Sequence, residues 1–165
     1  MKRIILVLIS LLIISINSFS QNEKLKAVFM YNFSKYISWP NNSGDFIIGV
    51  MGSSEMISEL NIIAQKRKVG NRTIKVLDFS SYENIKNCNI LYISDSKKSQ
   101  LSKSILKVSL QPVVVVSDSP GSINKGAGIN FVIDDGKQKF EIKKQNVEKN
   151  GIVVNSALLN LGIKK

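Results

Sequence analysis

Pro112-Val113-Val114-Val115-Val116 is apolar at every position, and this continuity fixes the architecture. A strand with one wet face alternates apolar and polar residues, whereas an unbroken β-branched run belongs to a strand covered on both faces. Phe46-Ile47-Ile48-Gly49-Val50 and Ile90-Leu91-Tyr92-Ile93 read the same way. Between these runs lie helical patterns at residues 55–66, introduced by Ser53-Ser54 as a cap, and at 97–107, with a shorter strand at 73–77. Strands that alternate with helices and are buried on both faces make an α/β domain, here with a mostly parallel or mixed sheet flanked by helices. After residue 128 the character changes. Residues 129–133 and 137–142 flank Asp134-Asp135-Gly136, and Asp-Gly between two strands predicts a C-terminal antiparallel hairpin. A short helix at 145–149 and an apolar segment at 156–163 follow.

The chain opens with Met1-Lys2-Arg3, continues with an apolar stretch over residues 4–16, and reaches the small residues of Asn17-Ser18-Phe19-Ser20 before Gln21. Residues 1–20 therefore read as a secretory signal peptide, and residues 21–165 as one domain. The apolar stretch falls short of the roughly 20 residues that cross a bilayer, so no stable membrane insertion is expected after cleavage. The whole chain holds 23 Lys and Arg against 12 Asp and Glu, a formal charge of +11. Loss of Lys2 and Arg3 leaves about +9. Export makes acidic proteins and membrane surfaces better partners for that charge than nucleic acid. No aromatic platform for stacking bases interleaves the lysines.

The chain has no histidine and one cysteine. A Ser-His-Asp triad, a Cys-His pair and imidazole ligation of zinc are thereby excluded. An intrachain disulfide is excluded as well. Cys88 precedes a buried run, where a half-buried thiol is expected, with reactivity or intermolecular pairing as the other readings. Metal ligands do not cluster: Asp134-Asp135 lacks the further oxygens of a calcium loop. Gly121 to Gly128 has half the spacing of a phosphate loop but ends Ala-Gly where Lys and Ser/Thr are needed, and reads as a surface turn. No cofactor is expected, and an enzyme is the third-ranked reading.

In an open α/β sheet ligands gather beyond the carboxyl ends of the strands. The residues there are Ser53 and Ser54, Ser94 and Asp95, and Ser117 and Asp118. Their hydroxyls and helix-start amides suit a small polar ligand. Helix capping by Ser54 and Ser96, with Asx turns closed by Asp95 and Asp118, accounts for the same residues without one.

The remaining signal is KAVFMYNFSKYISWP, residues 26–40. On a helical wheel Leu25, Phe29, Met30, Phe33, Tyr36 and Ile37 fall within an arc of about 140°, the width of a core stripe. Ala27, Val28 and Tyr31 point elsewhere, with Lys24 and Lys35 beside them. A second apolar side is either sandwiched between layers or offered to a partner.

This stretch resembles the opening helix of the YfiR family of exported proteins. Phe46-Ile47-Ile48-Gly49-Val50, Cys88-Asn89-Ile90-Leu91-Tyr92-Ile93-Ser94, Val115-Val116-Ser117-Asp118, Gly128-Ile129-Asn130-Phe131-Val132, Lys139-Phe140-Glu141-Ile142 and Ser156-Ala157-Leu158-Leu159-Asn160-Leu161 are similar to its later motifs, in order. The resemblance implies a periplasmic, non-catalytic α/β domain that binds the periplasmic part of an inner-membrane signalling protein, foremost a diguanylate cyclase, and holds it inactive. A sensor kinase is a further client class. Two departures stand out: Asn89 occupies the position of the family's usual histidine, and only Cys88 is kept where relatives carry several cysteines. Ala27, Val28, Tyr31 and Trp39 are the expected contact residues, toward that partner or a second copy of the chain. A periplasmic small-molecule binding protein that uses the strand-end loops is the alternative.

Overall fold

Valine and isoleucine runs that cannot face water from either side need two covering layers, and the chain supplies them. A computed structural model describes residues 22–165, and the expected signal segment at residues 1–20 lies outside them. Residues 22–36 are helical (α1). There follow β1 (Ile37–Ser38), β2 (Phe46–Met51), α2 (Ser54–Lys66), β3 (Lys68–Val69), β4 (Arg72–Asp78), β5 (Ile90–Ile93), α3 (Leu101–Lys107), β6 (Val114–Ser117), β7 (Ile129–Asp134), β8 (Lys137–Ile142), α4 (Lys144–Val147), β9 (Val153–Val154), α5 (Ser156–Leu161) and β10 (Ile163–Lys164). The main sheet runs β10-β8-β7-β6-β5-β2-β4-β3, and β1 pairs with β9 separately. The fold is mixed α/β. β2, β4, β5, β6 and β7 are parallel, while β7–β8 and β3–β4 are antiparallel.

The sheet buries two faces. On one, Phe46, Ile48, Tyr92, Val116 and Phe131 meet α1, α2 and α5; on the other, Leu91, Ile93 and Val115 meet Leu101 of α3. The hairpin forms as its sequence requires: Asp134 pairs with Lys137, and Asp135 and Gly136 take φ of 50° and 69°, the left-handed pair of a type I′ turn. The helix expected at 97–107 is split into a 3-10 segment Asp95–Gln100 and α3. Residues 121–128 are the expected surface turn only in part: they hold a 3-10 turn at Ser122–Lys125 with Gly121, Asn124 and Lys125 exposed, while Ser122, Ile123 and the following Ala127 are buried.

The first helix lies on the sheet in a different rotation from the one its apolar pattern predicts. Its buried residues are Glu23, Ala27, Met30, Phe33 and Ser34, continued by Ile37. The buried arc is turned by about 70° from the expected stripe at 100° per residue. Leu25 and Tyr36, expected inside, are 41% and 36% exposed, and Ala27, expected on the second side that is either sandwiched or offered to a partner, is 0% exposed. Counting large apolar residues misplaced the stripe. A helix seated close against a sheet favours a small side chain at the point of approach, and the two polar residues on the buried face carry no hydrophobic signal. Phe33 anchors the seat, with ring centroids 5.0 Å from Phe140 and 5.9 Å from Phe131.

Phe33→Ala is expected to cost about 3–5 kcal/mol in urea unfolding, and Leu25→Ala less than about 1 kcal/mol. Equal losses would return Leu25 to the core.

Candidate functional site

Parallel strands leave their carboxyl-end amides and carbonyls without ladder partners, and the first turns of α1 rest against those ends. Glu23 and Lys26 face one another across one helical turn, an i,i+3 spacing that brings them side by side. Lys26 Nζ donates to Glu23 Oε1 and to Asp118 Oδ2, each at 2.7 Å. Asp118, just beyond β6, is the hub. Its Oδ2 also accepts the Tyr92 hydroxyl at 2.7 Å, and its Oδ1 accepts the Asp95 amide at 2.7 Å. Ser53 Oγ donates to Glu23 Oε2 at 3.4 Å. The arrangement ties α1 to the ends of β2, β5 and β6.

Its electrostatics follow from burial and charge. Burial alone would lower the Lys26 pKa, but the hydrogen bonds from Asp118 and Glu23 and their charges outweigh it, and the ammonium is held above the ordinary lysine value of 10.5. Burial, then the charges of Asp118 and Glu23, push the Tyr92 phenol far above its ordinary value, so it stays a donor. One ammonium between two carboxylates in a partly desolvated site is favourable only while every partner is present.

The strand-end residues divide by role. Ser53, rather than Ser54, caps α2 by accepting from the Met56 amide at 3.1 Å. Ser54 is exposed and bonds Glu55. Ser94, rather than Ser96, caps the 3-10 segment, and Ser96 Oγ donates to Gly52 O at 2.8 Å across the crevice between β2 and β5. Ser117 is buried, donating to Ile93 O and accepting from the Ser119 amide. Asp118 closes no Asx turn. Asp95 and Asp118 line a cleft of about 490 Å³ that also touches Asn130 and Glu141.

The expected contact residues separate as well. Ala27 and Trp39 are buried, so neither presents a surface. Trp39 stacks edge-on to Phe46 at 5.0 Å and donates from Nε1 to the Asn89 carbonyl at 3.2 Å. Val28 is 40% exposed. Tyr31 is half-buried, with Lys35 Nζ 4.4 Å above its ring and its hydroxyl 3.5 Å from the Lys68 carbonyl. Leu25, Val28 and Tyr36 form the apolar face that α1 leaves open, with exposed Lys24 and Lys35 beside it.

Asn89 has its own task at the opposite end of the sheet. Its Oδ1 accepts the Ile47 amide at 2.9 Å and Arg72 Nη2 at 3.2 Å. Cys88 is buried rather than half-buried, and burial pushes its thiol up to about 12. Glu23, Lys26, Tyr92 and Asn130 were not singled out by the sequence reading. A Glu–Lys pair at the start of an apolar helix reads as solvated charge, and only the pairing partner, 92 positions away, distinguishes it.

Among the described residues no helix is long and apolar enough to cross a membrane, and no group of three or more His, Cys, Asp or Glu could hold a metal ion.

Asp118→Asn removes the hub charge and leaves Lys26 short of a partner, so a loss of about 3–5 kcal/mol in chemical denaturation is expected. Because the folded Lys26 pKa is raised, the pair contributes fully below pH 10.5 and fades only as pH climbs through the folded value. A stability plot of wild type minus Asp118→Asn should therefore fall on the alkaline side of that point. Cys88 should resist a water-soluble disulfide reagent until denaturant is added, since the thiolate is the reactive form.

A family model described as YfiR/HmsC-like matches residues 23–163. No curated protein matches the chain. The matched span runs from Glu23 of the Glu23–Lys26–Asp118 latch that fastens α1 to the strand ends, to Ile163 in the last strand, and so includes every contact described above. The chain belongs to the YfiR/HmsC-like family.

Proposed function

We propose that this chain is a non-catalytic regulator, exported to the periplasm, that binds the periplasmic domain of an inner-membrane signalling protein, foremost a diguanylate cyclase, and holds it in its inactive state. The observation that carries the reading is the open face of α1. Leu25, Val28 and Tyr36 lie within about 80° of one another on the wheel, each at least one-third exposed. The opposite side of the same helix is fastened by the Lys26 pairs. A helix fixed on one side and apolar on the other is a rigid docking edge, and rigidity limits the conformational entropy lost on association. Val28 lies in this surface and half-buried Tyr31 borders it, and both stay among the proposed contacts. Ala27 and Trp39 give theirs up to Leu25 and Tyr36. Family membership supports the regulatory role, and the absence of histidine from the sequence removes the commonest general base.

Repression by such a protein is a population shift. It acts only through a difference in affinity between the partner's active and inactive states, and moving a 1:99 balance to 99:1 needs about 10⁴-fold preference. A basic rim of Lys24 and Lys35 beside an apolar strip suits an acidic-edged partner surface, and speeds encounter more than it strengthens the final complex.

Val28→Asp, which places a charge within the open face, should weaken binding to the partner's periplasmic domain at least tenfold in a titration and raise cellular cyclic di-GMP to the level of a deletion strain. Its melting temperature should stay within about 2 °C of wild type, as expected for a surface change. Wild-type affinity in the variant would rule out this face. Sedimentation of the isolated chain distinguishes the case in which a second copy occupies it.

A further inference from the structure

The cleft beside the latch is opposite in sign to the rest of the chain. Against a formal charge of +11, its lining among the described residues carries Asp95, Asp118 and Glu141 and one cation, Lys26. That ammonium is already held between Asp118 and Glu23. Lys98 and Lys165 reach the outer oxygens of Asp95 and Glu141 at 3.2 and 2.9 Å, from exposed positions where such pairs contribute little. With Glu23 counted, four carboxylates meet three ammoniums at the cleft, which leaves a net negative charge there.

It also has acceptors with nothing to accept. Asn130, on β7, is 1% exposed. Its Nδ2 donates to Glu141 Oε2 at 3.2 Å, and since a carboxylate only accepts, this fixes which end of the amide is oxygen. The Oδ1 that remains is buried without a partner, and so is Asp95 Oδ1. Buried acceptors in native proteins are almost always satisfied. Both residues line the same cleft. A divalent metal does not answer the need, because the described carboxylates do not converge as a ligand set. The need is met by a molecule carrying several N–H donors and positive charge at separated points.

We propose that this cleft binds a primary organic diamine. One ammonium would donate to Asp95 and Asp118, as the Lys26 side chain already does to Asp118, and the other to Asn130 and Glu141. The apolar lining of Val132 and Ile133 suits a methylene stem. The site stands independently of the partner assigned above, because α1's open face contributes none of its groups.

Calorimetric titration of 1,4-diaminobutane into the chain, at ionic strength held constant with sodium chloride, tests the assignment. Saturable one-to-one binding is expected, weakened at least tenfold in Asp95→Asn and in Glu141→Gln, with n-butylamine at least tenfold weaker than the diamine. Glu141→Gln keeps the amide contact's geometry and serves if Asp95→Asn unfolds the 3-10 segment. Absence of saturable heat, unaltered binding in both variants, equal affinity for n-butylamine, or displacement by magnesium chloride at the same concentration would overturn it.

Discussion

Lys26 sits between two carboxylates where α1 meets the sheet, and that pairing constrains how the helix can lie. Its side chain and those of its partners are 7–16% exposed, and a charge that far from water is tolerable only when paired and hydrogen-bonded. This requirement selects among packings that the hydrophobic effect leaves nearly equivalent. The apolar residues of α1 allow one seating centred on Leu25, Phe29 and Tyr36 and another centred on Ala27, Met30 and Phe33. The second is the one found, and in it Lys26 sits between Glu23 and Asp118. Buried polar pairs are best attested as devices that favour one arrangement over another, and this pair fits that use.

Once that rotation is fixed, the aromatic packing follows. Phe33 reaches both strands of the hairpin, and Phe29 lies 5.7 Å from Phe140 and 6.2 Å from Phe131. These contacts join α1 to β7 and β8, the strands that also line the acidic cleft, Phe131 among the lining residues. Tyr92 belongs to both systems: its ring is 6.4 Å from Phe131, and its hydroxyl supports Asp118. The open strip of α1 is what remains after these demands are met. It is exposed because the side chains that satisfy the latch and the rings occupy the other side of the helix.

Much of this was legible in the sequence. The unbroken runs at 46–50, 90–93 and 112–116 are strands of the sheet because burial on both faces erases alternation, and Asp135-Gly136 turns where only a left-handed pair fits. The two-residue strands β1, β3, β9 and β10 were not legible. Pairs that short are defined by what they pair with, and no propensity over two residues specifies a partner. The rotation of α1 escaped for a related reason: a wheel weighs hydrophobicity, and the residues that settle it are a buried glutamate, a lysine and an alanine. Trp39 was misassigned because an aromatic beside proline at a helix end looks like surface until its Nε1 finds the Asn89 carbonyl. Asp118 was noticed, yet as a ligand-loop residue or a turn former and not as a hub, since none of its three donors lies within twenty residues of it.

The same accounting explains why two different surfaces can coexist on a small domain. A basic chain repels its own lysines, and the carboxylates it does possess gain most where several donors converge. Here that place is the carboxyl end of the parallel strands, where the Asp95 amide, the Tyr92 hydroxyl and the Lys26 ammonium meet Asp118. Concentrating negative charge there leaves the open flank of α1 with lysines, apolar side chains and the neutral Asn32, and no acid. An apolar strip with a basic border and an acidic cleft therefore arise from one distribution of few acids among many bases. They are joined through Lys26, whose stem belongs to the helix and whose charge belongs to the cleft.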